Sequence, residues 1–367
     1  MTNTTKLLSG AAALALLAGP ASAIELTYGS FQQPTSVTVA GAVTPYFERV
    51  TERTNGEITF KTFWAGSMGG PKELLGAVET GALDAALQID VYAKRALPHS
   101  ASLSSLIGLV DEPRAFAGAM NETQLIDYPK SLEDFADYNQ IPLGWYSTTS
   151  YLLQCTSEVA TLEQLQGKKV RSVSRLADMM CSMGAVPVSV TVAEMYEAMQ
   201  RGQVDCALAS TYYLNSYNIK DFVTHVVDVP LGAYIGTLPM SVNLDVWEDL
   251  EPEQRKIMLE EVPEMLADAM YEGMADDESA EADLKAKGGV VMHPDDAFME
   301  ALATFRAAEW DQVTTQAGED GVDDPEALIA TFRENLEKWR GIVAEVGDDR
   351  EAYAEALRRE IYSKLDW

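Results

Sequence analysis

The chain has 367 residues, 47% of them hydrophobic, which is enough for two domains of ordinary size, each with its own core. Its formal net charge is −30, because 57 acidic side chains outnumber 27 basic ones. Such a surface argues against nucleic acid and anionic membranes as partners, although a local cationic pocket can still bind an anionic ligand.

The N-terminus has the pattern of a secretory signal peptide. Lys6 precedes the apolar run LLSGAAALALLAG, and the residues ASA at 21–23 are a cleavage signal of the A-x-A kind. As a membrane anchor, the run is too short to span a bilayer. We therefore predict a signal peptide over 1–23, a mature chain that begins at Ile24, and a periplasmic location for the soluble protein.

The mature sequence begins with alternating strands and helices. The stretch IELTYGSFQQP at 24–34 alternates in polarity and stops at a proline, so it predicts a first strand whose end brings Phe31 and Gln32 into a loop. Apolar residues at three- and four-residue spacing predict a helix over 36–54, and EITFKTFW at 57–64 predicts the second strand.

A repeated segment then predicts the plan of the fold. ELLGAVETGALDAA at 73–86 matches EMYEAMQRGQVDCA at 194–207 at Glu, Ala, Gly, Asp and Ala in the same register. In each copy an apolar helical face ends at a glycine, Gly81 or Gly202, and an apolar run typical of a buried strand follows; the first run includes Gln88. Two copies predict two α/β lobes with a ligand groove between them, where strand ends and helix N-termini converge.

Two segments are predicted to connect the lobes. The sequence YNQIPLGWYSTTSYLLQC at 138–155 carries the chain from the first lobe to the second, and GAYIGTLPMSVN at 232–243 brings it back. Two such crossings form a hinge of paired strands, about which rigid lobes can close over a ligand. Before the first crossing, the apolar stretch 98–110 is predicted to be a loop and 112–119 to begin a helix.

From Asp245 onward the apolar spacing is helical, with acidic residues on the outer faces. We predict that these helices wrap around both lobes as struts rather than form a third domain. The predicted division is lobe I at 24–144 and 233–265, lobe II at 145–232, and C-terminal helices at 266–367.

Three cysteines in an exported chain allow one disulfide and leave one thiol over. Cys155 closes the run YLLQC and Cys206 opens the run CALA, so the two sulfurs lie at the same end of a sheet if these strands are antiparallel neighbours. One hypothesis is a bridge between Cys155 and Cys206, with Cys181 buried in a helix. The other is three reduced, buried thiols.

No enzyme signature stands out. The nucleophile elbow, the zinc-protease motif, the P-loop and the dinucleotide-binding fingerprint are absent from the sequence, and its three histidines lie far apart with no acidic or cysteine partner at ligand spacing. We expect neither catalysis nor a bound cofactor or metal. An exported hydrolase or lyase that uses carboxylates in a cleft is a weaker alternative.

Arg171 is the residue best suited to bind a ligand. It lies in GKKVRSVS, a strand approached by a glycine turn, whose exit faces the predicted groove. A guanidinium there presents a fixed fork that matches a carboxylate through two parallel hydrogen bonds. The alternatives are that Arg171 pairs with a surface acid, or that Arg175 binds the ligand instead.

Aromatic residues cluster on both sides of the predicted groove. They are Trp145, Tyr146 and Tyr151 at the first crossing, and Tyr212, Tyr213 and Tyr217 after the second repeat. They predict a pocket that combines flat apolar walls with hydroxyl and amide donors. The candidate ligand contacts beside Arg171 are Tyr151, Ser210, Tyr212, Tyr213, Asn215, Phe31, Gln32 and Gln88.

Four motifs occur in the order ELLGAVETGALDAA, TLEQLQGKKVRSV, MGAVPVSVTVAEMYEAMQRGQVDCA and VNLDVWEDLEPEQR. In this order they resemble the solute-binding proteins of tripartite ATP-independent periplasmic (TRAP) transporters, and the resemblance covers nearly the whole mature chain. It implies a bilobed, type II-like α/β periplasmic-binding fold with a long helix spanning both lobes. It also implies capture of a small organic acid for a sodium-driven membrane permease, with Arg171, the arginine of the G-x-K-[IV]-R motif, on the substrate carboxylate.

The sequence departs from this family after the second repeat. Many relatives have V-D-G followed by a polar or Trp-containing stretch that completes the site, sometimes with a metal ion, whereas this chain has VDC at 204–206 and then ALAS at 207–210. We therefore expect no metal, and substrate contacts shifted to Ser210, Tyr212 or Tyr213. The expected partners are an organic acid and the permease, with the binding protein a monomer. A periplasmic sensor that delivers its closed form to a receptor domain is the alternative.

Overall fold

A computed structural model describes residues 23–365. The predicted signal peptide, except for Ala23, lies outside the described residues. The described part of the chain contains eleven strands. In chain order they are β1 (Ile24–Gly29), β2 (Ile58–Phe63), β3 (Ala85–Ile89), β4 (Gln140–Pro142), β5 (Leu152–Cys155), β6 (Lys169–Arg171), β7 (Val186–Val188), β8 (Cys206–Ala209), β9 (His225–Val227), β10 (Thr237–Asn243) and β11 (Val290–Met292).

The strands form two separate sheets, of order β2-β1-β3-β10-β4 and β11-β9-β5-β8-β6-β7. In the first sheet β1 is parallel to β2 and β3, and β10 is antiparallel to β3 and β4. In the second sheet β6 is parallel to β7 and β8, and β5 is antiparallel to β8 and β9. Each sheet is the centre of one α/β lobe, so the predicted bilobed fold class is confirmed.

Sixteen α-helices occur within residues 23–365. They are α1 (Thr44–Arg53), α2 (Leu74–Glu79), α3 (Pro98–Ser104), α4 (Pro113–Glu122), α5 (Ser131–Ala136), α6 (Leu162–Leu165), α7 (Arg175–Ser182), α8 (Met195–Gln200), α9 (Tyr213–Ser216), α10 (Leu244–Asp249), α11 (Pro252–Glu260), α12 (Val262–Ala286), α13 (Asp296–Arg306), α14 (Glu309–Glu319), α15 (Pro325–Val346) and α16 (Arg350–Glu360). Short π or 3₁₀ turns lie at Val39–Val43, Asp90–Ala93, Ser105–Leu109, Thr123–Asp127, Val192–Glu194, Ile219–Asp221 and Tyr362–Lys364.

The two sequence repeats fold alike. The first forms α2 followed by β3, and the second forms α8 followed by β8. Just beyond each helix a glycine has positive φ, +70° at Gly81 and +64° at Gly202. Glycine reaches this region without a Cβ penalty, which is why both helices end there.

The two predicted crossings between the lobes pair with each other. The backbone N–H of Tyr146 donates to the carbonyl of Thr237 over 3.0 Å. The N–H of Thr148 donates to the carbonyl of Tyr234 over 2.9 Å. The predicted hinge of paired strands is therefore present, whereas the limits given above for each lobe stay a prediction.

Helix α12 contacts both lobes. Near its start Asp268 lies 3.3 Å from the guanidinium of Arg49 in α1, and further along Asp277 accepts a 2.6 Å hydrogen bond from the backbone N–H of Tyr212. This is the spanning helix that the family resemblance implies. Within residues 23–365, no helix combines the length and the apolar composition needed to cross a bilayer.

Two local predictions about secondary structure are wrong. The segment 98–110, predicted as a loop, forms α3 and a 3₁₀ turn. Pro98 is compatible with this helix because it lies in the first turn, where a backbone N–H has no partner within the helix. The chain beyond Asp245, predicted as wholly helical, contains β11, which pairs in parallel with β9 and so joins the second sheet. The region 266–367 therefore also adds a strand to the second sheet.

Cys155 and Cys206 form a disulfide with an S–S distance of 2.05 Å, and they lie opposite each other in antiparallel β5 and β8. This is the first of the two arrangements considered from the sequence. Cys181 is a free thiol, but it is exposed and not buried as predicted. The buried face of α7 is made by Leu176, Met179 and their neighbour Met180, so Cys181 projects away from the core.

Candidate functional site

A cavity lies between the lobes where strands of both sheets end, and we call it the interlobe cavity. Its lining residues are Gln32, Ile89, Val91, Tyr92, Tyr146, Tyr151, Arg171, Val173, Val192, Tyr213, Tyr217, Tyr234 and Thr237. Its volume is about 20 Å³, enough for little more than one water molecule. A ligand the size of a six-membered ring therefore enters only when the walls move apart.

Arg171 is the last residue of β6, a strand held between β7 and β8, and its side chain is only 1% exposed. Its Nε donates to the carbonyl of Val190 over 3.2 Å and its Nη1 to the carbonyl of Leu208 over 3.3 Å. Its Nη2 donates to the hydroxyl of Tyr92 over 3.3 Å. Backbone groups thus hold one side of the guanidinium fork, and the Nη2 end reaches the other lobe.

Within residues 23–365, no carboxylate lies within the 4.0 Å of an ion pair from Arg171. The carboxylate of Glu194 accepts hydrogen bonds from the hydroxyl and the backbone N–H of Thr191, and these bonds lower the pKa of Glu194. The charge of Arg171 lowers this pKa to a smaller extent. The positive charge of Arg171 is therefore buried with only neutral partners. Such a charge is costly to bury, and an incoming anion would reduce that cost.

Arg175, the alternative ligand-binding arginine, is already paired. Its Nη2 lies 2.5 Å from the buried carboxylate of Glu309, and its Nη1 lies 2.9 Å from Asp178. A ligand carboxylate would have to displace a protein carboxylate to reach it. Arg171 and Arg175 were both candidates from the sequence, and of the two only Arg171 has a charge that is not neutralised by a protein carboxylate.

Six tyrosines line the cavity together with Arg171, and most of their hydroxyls are bonded to protein groups. The hydroxyls of Tyr151 and Tyr213 lie 3.2 Å apart, and that of Tyr146 lies 3.1 Å from the hydroxyl of Thr38. Burial raises the pKa of Tyr151 and of Tyr213 above the ordinary value for a phenol. The phenols of Tyr151 and Tyr213 therefore stay neutral at physiological pH and do not supply a negative charge to Arg171.

Residues 28–316 match the family described as bacterial extracellular solute-binding protein, family 7. The chain belongs to this family. It is 26% identical over 250 residues to the uncharacterised protein YiiZ of Salmonella typhimurium, a match that covers 64% of this chain and 70% of that protein.

Solved structures show the same fold. A TRAP solute-binding protein from Rhodoferax ferrireducens, in complex with copurified benzoate, has a TM-score of 0.76 at 18% identity and covers 87% of this chain and 99% of its own. A TRAP periplasmic solute-binding protein from Xanthobacter autotrophicus, with bound β-D-galacturonate, has a TM-score of 0.69 at 19% identity and covers 85% and 99%. The resemblance to TRAP solute-binding proteins is confirmed, and members of this family are transport proteins and not enzymes.

In this family 7 protein, four of the predicted ligand contacts meet at the interlobe cavity: Arg171, Tyr151, Tyr213 and Gln32. Gln32 comes from the loop after β1, as the sequence predicts, and its Oε1 accepts a 2.9 Å hydrogen bond from Ser36. Tyr146 and Tyr217 of the predicted aromatic cluster also line the cavity. The role of these side chains in binding stays a prediction.

Two predicted contacts of the first lobe lie away from the cavity. Phe31 is 6% exposed and packs in the hydrophobic core. The Nε2 of Gln88 donates to the Oε1 of Gln140 over 2.6 Å, so the amide joins β3 to β4 across the face of the first sheet. Gln88 is next to the cavity residue Ile89 in β3, but successive side chains along a strand point to opposite faces of the sheet.

Three predicted contacts of the second lobe also lie outside the cavity. The hydroxyl of Ser210 donates to the carbonyl of Thr149 over 2.9 Å, at the hinge. The backbone N–H of Tyr212 and the side chain of Asn215 donate to Asp277 and Asp276 of α12, over 2.6 Å and 3.3 Å. Tyr212 and Asn215 thus attach the second lobe to the spanning helix.

Sequence reasoning missed two tyrosines of the cavity. Tyr92 belongs to the 3₁₀ turn directly after β3, and Tyr234 belongs to the return crossing. The sequence positions that drew attention to Arg171 and Tyr151 could also have identified these two tyrosines. Tyr92 follows a parallel strand, and Tyr234 lies in a crossing between the lobes. The aliphatic walls Ile89, Val91 and Val192 carry no such signal, because they look like ordinary core residues.

Other parts of the molecule are less suited to bind an acid. A cavity of about 350 Å³ lies beside the hinge and α12, but its Arg114 donates to Glu112 over 3.0 Å and to the carbonyl of Gly347 over 2.6 Å. Among residues 23–365, no group of three or more His, Cys, Asp or Glu side chains is arranged to hold a metal ion. The interlobe cavity is thus the candidate site of this solute-binding protein.

Proposed function

We propose that the protein captures a small organic acid between its lobes and holds the carboxylate on Arg171. The observation that carries this proposal is the buried guanidinium whose hydrogen-bond partners are all neutral. The two ligands named for the solved relatives, benzoate and galacturonate, share little except a carboxylate. A carboxylate on Arg171 would supply the missing charge and accept charge-assisted hydrogen bonds from its fork.

Binding requires the lobes to separate and close again. The cavity of about 20 Å³ is too small to admit an organic acid as it stands, and the paired strands of the hinge provide an axis for opening. Closure around the ligand would exclude water from Arg171 and strengthen its interaction with the carboxylate. The protein would then present its closed form to the membrane subunits of the transporter.

The family is described as extracellular, which supports our proposal that the signal peptide predicted at 1–23 exports the chain to the periplasm. There the protein, as a monomer, would deliver its acid to the membrane subunits of a TRAP transporter. Release requires the permease to favour the open form, because a ligand shifts an equilibrium only through its differential affinity for the two states.

Replacement of Arg171 by glutamine tests the proposal. We expect Arg171→Gln to weaken binding of the acid about 30-fold or more, corresponding to about 2 kcal/mol, because the carboxylate would be buried without its cation. Isothermal titration calorimetry measures the affinity. A matched control is Arg201→Gln, since Arg201 belongs to the same lobe but is 63% exposed and pairs with Glu197.

The control should bind like the original protein, and both variants should retain their circular dichroism spectrum and thermal unfolding transition. If Arg171→Gln is folded and binds the acid with unchanged affinity, the assignment of Arg171 is wrong.

A further inference from the structure

We propose that the acid bound in the interlobe cavity is an aromatic monocarboxylate, a flat ring with one acid group and few hydroxyls. This inference rests on the proposed function of Arg171 and extends it by naming the substrate class. It depends on three properties of the cavity walls: how many cations they carry, what the tyrosine hydroxyls already bind, and how the aromatic rings are arranged.

The first property is the number of cations. Arg171 is the one cationic side chain among the described residues that line the cavity. The other polar walls, Gln32, Thr237 and the tyrosines, are neutral. A second carboxylate on the ligand would be buried without a cation, which is strongly unfavourable. The walls therefore select a ligand with a single acid group.

Nearby cations do not change this conclusion. Lys94 and Arg175 line an adjoining cavity that shares wall residues with the interlobe cavity. Each is already neutralised, because Lys94 Nζ lies 2.6 Å from Asp320 and Arg175 Nη2 lies 2.5 Å from Glu309. Neither is free to receive a second ligand carboxylate.

The second property concerns the hydroxyls. Five of the six tyrosines at the cavity have hydroxyls that are bonded to protein groups. The pairs are Tyr146 with Thr38, Tyr151 with Tyr213, Tyr234 with Asp90, and Tyr92 with both Arg171 and Val192. The rings are thus left to contact the ligand, while few hydroxyls remain to bind it. A sugar acid would bury several hydroxyls without partners, and each would lose its bond to water.

The third property is the arrangement of the rings. The ring of Tyr213 lies 5.9 Å from that of Tyr151 and 4.8 Å from that of Tyr217, at interplanar angles of 64° in both cases. These are edge-to-face contacts, the geometry that aromatic pairs prefer. An aromatic ligand can extend this set with its own ring, whereas a saturated ring of similar size offers neither a flat face nor a π-system.

A ligand panel tests the substrate class. We would titrate the full mature protein with three aromatic monocarboxylates, benzoate, phenylacetate and mandelate. The comparison acids are succinate with two carboxylates, glucuronate with several hydroxyls, and cyclohexanecarboxylate with a saturated ring. We expect the tightest aromatic acid to bind at least ten-fold more tightly than each comparison acid.

The outcomes separate this inference from the proposed function. If any comparison acid binds as tightly as the best aromatic acid, the inference about substrate class is wrong, while the proposal that the protein binds an acid stands. If none of the six carboxylates binds, both fail.

A pair of variants tests the ring directly. Tyr213→Phe keeps the ring and removes the hydroxyl that contacts Tyr151, so affinity for the tightest aromatic acid should stay within three-fold. Tyr213→Leu removes the ring, and the affinity should fall at least ten-fold. Equal losses in the two variants would assign the effect to the hydroxyl and overturn the inference. Thermal unfolding of both variants checks that the lobe remains folded.

Discussion

At the scale of single residues, the hydroxyl of Tyr92 links the two lobes at the cavity. Tyr92 follows β3 of the first sheet, yet its hydroxyl accepts hydrogen bonds from two groups of the second lobe. The donors are the backbone N–H of Val192, over 3.0 Å, and Arg171 Nη2, over 3.3 Å. Both bonds join the two lobes, so separation of the lobes would break them. Tyr92 therefore favours the closed arrangement and also orients the arginine that we propose binds the ligand.

Tyr92→Phe should weaken ligand binding by about five-fold, because one net hydrogen bond of about 1 kcal/mol is lost from the closed state. Calorimetric titration with benzoate, or with the tightest acid of the panel, measures the change. Tyr196→Phe is the matched control, since its hydroxyl makes a 3.3 Å bond to Asp221 on the exposed surface of the second lobe. Equal affinity in the Tyr92 variant and the control would contradict this role.

The site could be predicted only in part. Arg171, Tyr151, Tyr213 and Gln32 meet as expected, because strand ends and crossings face the groove in any bilobed α/β chain. Ser210 was also predicted as a ligand contact, but it lies outside the cavity. It follows β8, and its hydroxyl donates to the carbonyl of Thr149. Sequence position determines which end of a sheet a residue occupies, whereas side-chain direction depends on local backbone geometry that no pattern specifies.

At the scale of elements, the hinge crossing that contains β10 is packed closely against a turn after β3. A Cβ added at Gly236 would lie 2.1 Å from the Ser104 hydroxyl and 2.2 Å from the carboxylate of Asp90. Asp90 accepts 2.6 Å hydrogen bonds from the hydroxyls of Ser100 and Ser104, and it is also bonded to Tyr234 of the same crossing. The glycine is thus required by the polar cluster that joins the crossing to the first lobe.

Gly236→Ala should destabilise the protein by about 1–3 kcal/mol, since the added methyl group must displace a buried, hydrogen-bonded carboxylate. Urea unfolding followed by circular dichroism measures the change. Gly76→Ala, within α2, is the control, because an added Cβ there meets nothing within 4 Å. Alanine is the better helix former, so the control should be stabilised by about 0.5–1 kcal/mol. A Gly236 variant as stable as the original would show that the crossing can shift without cost.

The elements that could be predicted are those with strong local signals. The two repeats, with Gly81 and Gly202 ending their helices, fold as their apolar spacing indicates. Helix α3 was not predicted because its histidine and its three serines are buried together with its apolar residues, so its sequence does not show one apolar and one polar face. Strand β11 has three residues, and its partner β9 is distant in the chain, so nothing local distinguishes it from a turn between helices.

At the scale of the whole molecule, the acid excess is borne by the surface, but some of its carboxylates are buried. Burial raises the pKa of Asp90 and of Asp277 to about 6. Asp277 lies on α12 where this helix receives the second lobe, and its neighbour Asp276 raises its pKa further. Glu360 behaves in the opposite way, because Lys338 and Arg359 lower its pKa to about 2.

The two kinds of carboxylate act in different pH ranges. An unfolded Asp has its ordinary pKa near 4, so between about pH 4 and 6 the folded state retains protons on Asp90 and Asp277 that the unfolded state has released. Their contribution to the free energy of unfolding therefore falls as the pH rises through this range, and it is constant above it. Glu360 raises the free energy of unfolding, because its pKa is lower in the folded state. This contribution is fully present above the ordinary pKa of a glutamate and is lost as the pH falls below it.

We therefore expect the protein to be more stable at pH 5 than at pH 7, and Asp277→Asn to reduce this difference. The amide oxygen of the variant can still accept the hydrogen bond from Tyr212, while the charged form disfavoured by burial is removed. At pH 7 the variant should gain about 1–2 kcal/mol, and at pH 4 it should match the original protein. Urea unfolding at the three pH values measures this, with Asp283→Asn, at an exposed position of α12, as the control for the loss of one formal charge. A gain of the same size in both variants would attribute the effect to the overall negative charge and not to the buried contact between α12 and the second lobe.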